Sequence, residues 1–207
     1  MFHWLIRRKI AAFEREFDYD MGYARSILDD AGVGALLRFS KTQALGTFRA
    51  DVPASSWYAA KIAAALVADC GPCVQLVVTM ALRAGVPPTL VSAVVRCDDA
   101  ALPDDARVAV AFARGTLQRA PDLDARRAAA VDVFGRRGLV ALAFAITSAT
   151  IYPTLKAALG HANACTLVRV AGSPIAVAHP AGRPPSPNPP PPPSRPTAPS
   201  CSASRTG

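Results

Sequence analysis

Residues 57–85 are WYAAKIAAALVADCGPCVQLVVTMALRAG, and this stretch decides the fold class. Two runs rich in Ala, Val and Leu flank a Cys-Gly-Pro-Cys motif at 70–73, and both runs have the composition of helices. Pro72 suits the first turn of a helix, and Gly85 suits the position just after a helix ends. The stretch therefore predicts one helix that ends at the motif and a second helix that begins there.

Helical patterns continue on both sides of this stretch. Apolar periodicity and terminal signals predict helices at 1–17, 22–30, 35–47, 53–68, 74–84, 87–96, 103–118, 122–134 and 135–159. A thioredoxin fold would need a β-strand before the motif, where this chain has a helix former. The apolar runs on either side of Gly172 predict a small hairpin. We therefore expect an all-α fold, a helical bundle with a small C-terminal β-hairpin.

Composition divides the 207 residues into three parts. Residues 51–178 are expected to form the helical domain, and 1–50 to form N-terminal helices that pack on it. Residues 179–207 hold 11 of the 19 prolines and no aromatic residue. Such a segment buries too little apolar surface to offset the entropy lost on ordering, so we expect it to be disordered.

The positive charge of the chain does not indicate a nucleic-acid partner. The formal net charge is +8, but Ala, Arg, Gly and Pro, all with GC-rich codons, are abundant, and a GC-rich bacterial genome explains part of the basicity. Basic residues are spread over faces rather than grouped, so nucleic-acid binding is not expected. Charge begins at Arg7, before any long apolar run, and this favours a cytoplasmic protein without a secretory signal.

Residues 138–155 form the most apolar segment, with no charged residue over a length close to that of a membrane span. The segment includes Thr147, Tyr152 and Pro153, and no second such segment exists to pack against it. A helix that is apolar all round is also what a bundle core or a subunit interface requires. We therefore expect no membrane association, and we predict a homo-oligomer in which part of this helix is buried.

Cys70 and Cys73 are the candidate catalytic residues. Residues three apart on a helix share a face, which brings two cysteines close enough for a disulfide. Unpaired amides and the dipole at a helix N-terminus favour the reactive thiolate. Five cysteines, an odd number, argue against a disulfide framework. The pair therefore predicts thiol–disulfide exchange, and the alternative is two buried cysteines that pack as small apolar side chains.

Residues 52–160 resemble the alkylhydroperoxidase D-like and carboxymuconolactone decarboxylase-like family. The matching features are an Ala-rich helix before Cys-x-x-Cys, the run CVQLVVTMALRAGV, the acidic helix LPDDARVAVAFARGTL and the stretch KAALG. The resemblance implies a thiol–disulfide oxidoreductase or peroxidase-related antioxidant protein in which Cys73 attacks and Cys70 resolves. It implies a small-molecule or protein disulfide or peroxide as substrate, an electron donor, and no cofactor.

The sequence departs from this family at the proton relay. Redox-active members carry a glutamate about three helical turns before the first cysteine and a histidine one turn after the second. Tyr58 and Val77 occupy these positions here. Nearby, Lys61 would lower a thiol pKa and Asp69 would raise it. We therefore expect weak or absent peroxidase activity, although simple dithiol exchange needs no relay. The alternative is a non-catalytic helical oligomer that kept the fold.

A structural zinc site is a second alternative. His161 and Cys165 are four residues apart, and with Cys70 and Cys73 they would complete a Cys3His set, which binds zinc. The competing interpretation places His161 at a helix end and makes Cys165 a third redox thiol. On balance no metal is expected.

Overall fold

The computed structural model describes residues 2–161 and 167–177, and it confirms the predicted all-α fold class with a small hairpin. The elements are α1 Phe2–Phe17, α2 Gly22–Ser40, α3 Ala54–Val67, α4 Gly71–Arg83, α5 Pro88–Val95, α6 Asp104–Gln118, α7 Leu123–Ala158, β1 Leu167–Val170 and β2 Ser173–Ala176. Short 3-10 segments cover Lys41–Thr47 and Asp99–Ala101. The expected disordered tail and Cys165 lie outside the described residues.

Helix α3 forms the centre of the main core, where it packs against α4, α5, α6 and α7. Its alanines permit this arrangement because small side chains allow helix backbones to approach closely. The fully buried alanines of α3 are Ala59, Ala60, Ala63, Ala64 and Ala65. Larger side chains fill the space between the helices, among them Ile62, Val74, Val110 and Leu142. None of the described side chains of the first two helices belongs to this cluster.

Two glycines divide the longest helical stretches of the described chain. Gly32 inside α2 has φ 78° and ψ 179°, and Gly135 inside α7 has φ 70° and ψ 173°. This backbone region is open essentially to glycine alone. The helices predicted at 22–30 and 35–47, and those at 122–134 and 135–159, are thus separated by real breaks. After the first break, the helix gives way to the 3-10 segment Lys41–Thr47.

Gly135→Ala is expected to lower the free energy of unfolding by about 2 kcal/mol, because a Cβ is strained at this backbone conformation. A Cβ at Gly135 would meet no atom within 4 Å, so the effect isolates backbone strain from packing. Gly34→Ala is the matched control, since Gly34 is helical and the nearest side-chain atom is the flexible end of Arg38. Urea denaturation should show that the Gly34→Ala control is as stable as the wild type or slightly more stable. If both variants lost the same free energy of unfolding, the break at Gly135 would not require glycine.

The first two helices pack on the rest of the chain through a second apolar cluster. Its buried members are Ile10, Tyr19, Tyr23, Ala24 and Leu28, against which Leu76 of α4 and Tyr152 and Leu155 of α7 also pack. Arg83, at the end of α4, donates hydrogen bonds to the side chain and the backbone carbonyl of Glu16 at 2.8 and 2.7 Å. The same guanidinium lies 4.3 Å from the centre of the Phe17 ring. The end of α1 is therefore held against α4.

Helix α7 is the one helix in the described ranges that is long and apolar enough to cross a membrane by length and composition. Of its most apolar window, 44% is buried within the fold, where α7 packs against α3 and α6. The core helix of a soluble protein meets the same criterion. Val133, Val140 and Phe144 remain exposed along α7. The expected homo-oligomer stays a prediction.

Candidate functional site

The predicted cysteine pair lies at the junction of α3 and α4, where the two side chains form a disulfide. Asp69 ends the α3 turn with a left-handed conformation (φ 51°), and Cys70 follows in an extended one as the N-cap residue of α4. Gly71 and Pro72 begin the helix, so Cys73 falls in its first turn. This geometry places the two Cα atoms 5.2 Å apart, within the range of protein disulfides.

The start of α4 provides the electrostatic field that the sequence predicts. The carbonyl of Cys70 already accepts the first helical hydrogen bond, from the Val74 amide at 2.9 Å. Pro72 has no amide hydrogen, and within the described part of the chain no side-chain hydrogen bond caps the helix. The amides in the first turn of a helix lack an intrahelical acceptor and carry partial positive charge. A thiolate formed at this end is therefore favoured over one formed elsewhere on the helix.

Both sulfur-bearing residues are nearly covered, since Cys70 is 3% and Cys73 4% exposed. Burial opposes the charged form of a thiol and raises its pKa. The groups that touch the sulfur atoms consequently decide how readily a thiolate forms once the disulfide is reduced.

Among the described residues, Tyr19 places a polar group in contact with the disulfide. Its hydroxyl oxygen lies 3.9 Å from Sγ of Cys73. A disulfide sulfur carries no hydrogen, so the tyrosine O–H is the donor in this contact. Burial raises the pKa of Tyr19 to about 12, partly offset by a hydrogen bond with Tyr23. The hydroxyl therefore keeps its proton throughout the neutral range and remains a donor.

The turn after α1 holds Tyr19 in this position. The Tyr19 amide donates to the Glu14 carbonyl at 3.2 Å, and the Met21 amide donates to a Glu14 carboxylate oxygen at 2.8 Å. Arg25 pairs with the same carboxylate and also with Asp20, at 3.0 Å. Glu14 and Asp20 thus stabilise the turn and hold the backbone on both sides of Tyr19 in place.

Lys156 lies over the Tyr19 ring. It is the most deeply buried charged residue of the described chain, with 1% of its surface exposed. Its Nζ lies 4.7 Å from the ring centre of Tyr19 and 5.6 Å from that of Tyr23. Among the described residues, Nζ has no hydrogen-bond partner. Burial lowers the pKa of Lys156, and the nearby Asp20 carboxylate opposes this shift. The two ring faces are therefore the main compensation for a buried ammonium group.

Comparisons with known proteins do not identify a relative of this chain. No significant match was found among protein-family models, curated proteins or solved structures. The resemblance to the alkylhydroperoxidase D-like family stays a prediction, and the function is inferred below from the geometry around Cys70 and Cys73.

The predicted resemblance places the family's relay at two positions whose side chains pack mainly on apolar neighbours. Val77 is buried in the main core one turn after Cys73. Tyr58 is partly buried, its ring packs edge-on against Trp57 at 5.0 Å between centres, and burial raises its pKa. Lys61 donates to the Gly46 carbonyl at 3.3 Å and lies 4.3 Å from the centre of the Trp57 ring. Its ammonium is therefore directed at the 3-10 segment before α3.

His161 makes contacts typical of a helix end. Its amide donates to the Lys156 carbonyl at 2.7 Å, after Gly160 takes a left-handed conformation (φ 75°). Its Nε2 lies 3.0 Å from the Ser26 hydroxyl. Within the described ranges no three His, Cys, Asp or Glu residues form a group that could hold a metal. The Cys3His zinc site considered above also requires Cys165, which lies outside the described ranges. The structural zinc site therefore stays a hypothesis.

Tyr19 and Lys156 were not predicted from the sequence. One signal was present, because Lys156 is the lone charged residue between 138 and 158. A single lysine in an apolar helix indicates either a snorkelling side chain or a buried functional charge. The contact of Tyr19 with Cys73 joins residues 54 apart in sequence, and no local pattern indicates it.

Proposed function

We propose that this chain is a thiol–disulfide oxidoreductase that uses Cys70 and Cys73. The observation that carries the proposal is the disulfide itself, formed across the first turn of α4. Three features support it: the helix N-terminus, the hydroxyl donor at Cys73, and a backbone that brings the two cysteines together within one helical turn.

In the proposed reaction the reduced pair transfers two electrons to a substrate disulfide. The Cys73 thiolate attacks one sulfur of the substrate, a Cys73–substrate disulfide forms, and the other substrate sulfur leaves as a thiolate. The Cys70 thiolate then attacks Sγ of Cys73, which forms the intramolecular disulfide and releases the second substrate thiolate. The two protons lost by the cysteines are taken up by the two released thiolates.

The burial of the pair favours a small-molecule disulfide over a protein disulfide as substrate. Each cysteine is almost covered, whereas a protein disulfide must approach a sulfur along its bond axis with bulky flanking groups. Peroxide turnover is expected to be slow. At the family's histidine position, Val77 lies in the apolar core, where it offers no base or acid for proton transfer.

Mild oxidation of the reduced full-length chain is expected to produce a reversible Cys70–Cys73 disulfide. Mass spectrometry should show the loss of two hydrogens in the peptide that holds both cysteines, and a dithiol reductant should restore them. Cys70→Ser and Cys73→Ser should each abolish the signal. Cys97→Ser is the matched control and should keep it, because Cys97 lies in the turn after α5 and outside the pair.

Trapping the mixed disulfide tests the assigned roles. Reduced Cys70→Ser protein, mixed with bis(2-hydroxyethyl) disulfide, should retain one mercaptoethanol adduct on Cys73, since the resolving thiol is absent. Reduced wild-type protein should release two thiols for each disulfide consumed. If both cysteines stay reduced under oxidant, or if zinc co-purifies with them in stoichiometric amount, the proposal is wrong. The first of these outcomes would favour the non-catalytic helical oligomer, and the second would favour the structural zinc protein.

A further inference from the structure

We propose that Tyr19 is a catalytic residue whose hydroxyl donates a hydrogen bond to the Cys73 thiolate, and that Lys156 is a positioning residue that holds the Tyr19 ring. This inference rests on the proposed function. The resembling family uses a glutamate and a histidine near the thiol, and this chain has Tyr58 and Val77 at those positions. Tyr19 and Lys156 together would take over the role of stabilising the reactive thiolate.

The geometry already present in the oxidised pair supports the role of Tyr19. The hydroxyl lies within hydrogen-bond distance of Sγ of Cys73, and this sulfur gains negative charge when the disulfide is reduced to a thiolate. A thiolate is a much stronger acceptor than a disulfide sulfur, because hydrogen bonds to an ionised group are about twice as strong as neutral ones. The contact therefore favours the Cys73 thiolate over its thiol.

Lys156 lies over a face of the same ring and strengthens this arrangement. An ammonium over the face of a tyrosine is attracted by the ring, so the contact at 4.7 Å restrains the ring orientation. The same positive charge withdraws electron density from the phenol and makes its O–H a better donor. Burial leaves the ammonium little water to screen it, and its field is therefore weakened less over distance than that of an exposed lysine.

The other titratable groups around this cluster act less directly. Tyr23 is a neutral neighbour whose hydroxyl oxygen also lies 3.3 Å from the Met21 sulfur, and Tyr152 is a neutral neighbour from α7 that packs on Phe39. Asp20 is the nearby carboxylate, which acts on both Tyr19 and Lys156, and it is itself paired with Arg25. The carboxylate opposes the thiolate, whereas the lysine and the hydroxyl favour it.

The helix N-terminus favours a thiolate at Cys70, whereas the Tyr19 hydroxyl favours one at Cys73. The effect of the helix and the effect of the hydroxyl can therefore be separated by experiment. Cys70 is the N-cap residue, so the amides of the first turn favour a thiolate there. The Tyr19 contact is made with Cys73 instead. If the hydrogen bond from Tyr19 has the larger effect, the pKa of Cys73 is lower than that of Cys70. If the helix N-terminus has the larger effect, the pKa of Cys70 is the lower one.

The test measures the pKa of Cys73 from the pH dependence of iodoacetamide alkylation, followed by mass spectrometry of its peptide. Reduced full-length protein with Cys70→Ser leaves Cys73 as the one thiol in that peptide. Adding Tyr19→Phe is expected to raise the pKa of Cys73 by about one unit, the equivalent of one hydrogen bond to a charged group. Adding Lys156→Met is expected to raise it by a smaller amount.

Tyr152→Phe is the matched control, because its hydroxyl bonds to Thr42 and Gln43 rather than to a cysteine, and it should leave the pKa of Cys73 unchanged. An unchanged pKa in Tyr19→Phe would overturn the inference while leaving the proposed function intact, provided that the wild-type pair still oxidises reversibly. A second measurement needs no tyrosine variant: thiolate absorbance of Cys70→Ser and Cys73→Ser proteins should show the lower pKa at Cys73. A lower pKa at Cys70 would overturn the inference as well.

Discussion

Ile62→Ala is expected to lower the free energy of unfolding by about 3 kcal/mol, a larger effect than that of Gly135→Ala. Ile62 is fully buried in α3, the helix around which the other helices of the main core pack. Its neighbours on α3 include Ala59, Ala63 and Ala65, whose side chains are too short to fill the space left by the isoleucine. The loss therefore includes a cavity as well as the transfer of apolar surface.

Thermal denaturation followed by circular dichroism should show this loss as a decrease in Tm of about 10 °C, given about 2 to 4 °C per kcal/mol for a chain of this size. Leu37→Ala is the control, because Leu37 is 49% exposed and its truncation should change stability by less than about 0.5 kcal/mol. Equal changes in the two variants would show that α3 is not the centre of the core.

The folded state is expected to become more stable by about 2 to 3 kcal/mol as the pH rises from 7 to 10. Burial lowers the pKa of Lys61 from its ordinary value of 10.5 to about 8. Between these two values the unfolded chain binds a proton that the folded chain does not, so the free energy of unfolding increases with pH. Lys156, whose pKa is also lowered by burial, acts in the same direction.

Above pH 10 the trend should reverse. Burial raises the pKa of Tyr19 to about 12 and that of Tyr23 further, so unfolded tyrosines ionise while the folded ones stay protonated. Urea denaturation of the oxidised protein at several pH values measures the profile. Lys61→Met should remove most of the increase between pH 7 and 10, whereas Lys41→Met, at an exposed position, should retain it. A wild-type profile that is flat over this range would contradict the burial of Lys61.

The helices were predictable because their determinants are local. Alanine-rich runs, proline at helix starts and glycine at helix ends all lie within a few residues of the elements they define. Gly135 shows this well, since it breaks α7 between a helix rich in charged residues and a helix that is uncharged from Gly138 to Leu155. The strands on either side of Gly172 also follow from adjacent apolar runs, and they pair in antiparallel register.

The surroundings of the cysteines were not predictable in the same way. The pairing of Cys70 with Cys73 follows from spacing along one turn, but the contact with Tyr19 depends on how α1 and α2 pack on α4 and α7. The prediction that Lys61 would tune the thiols used nearness in sequence as a guide. In the structure its ammonium lies against Gly46 and Trp57, because the direction of a helical side chain is set by its face.

The groups that meet at the disulfide come from two separate stretches of the chain, and mutations in each stretch therefore have different effects. The two cysteines belong to the junction of α3 and α4, whereas Tyr19 belongs to a turn near the start of the chain. A mutation in that turn alters what touches the sulfur without disturbing the alanine-packed helices that fix the cysteine spacing. Under the proposed role of Tyr19, the residue that tunes the thiol and the helices that hold the cysteines are therefore encoded in separate stretches of sequence, and mutations can change one without the other.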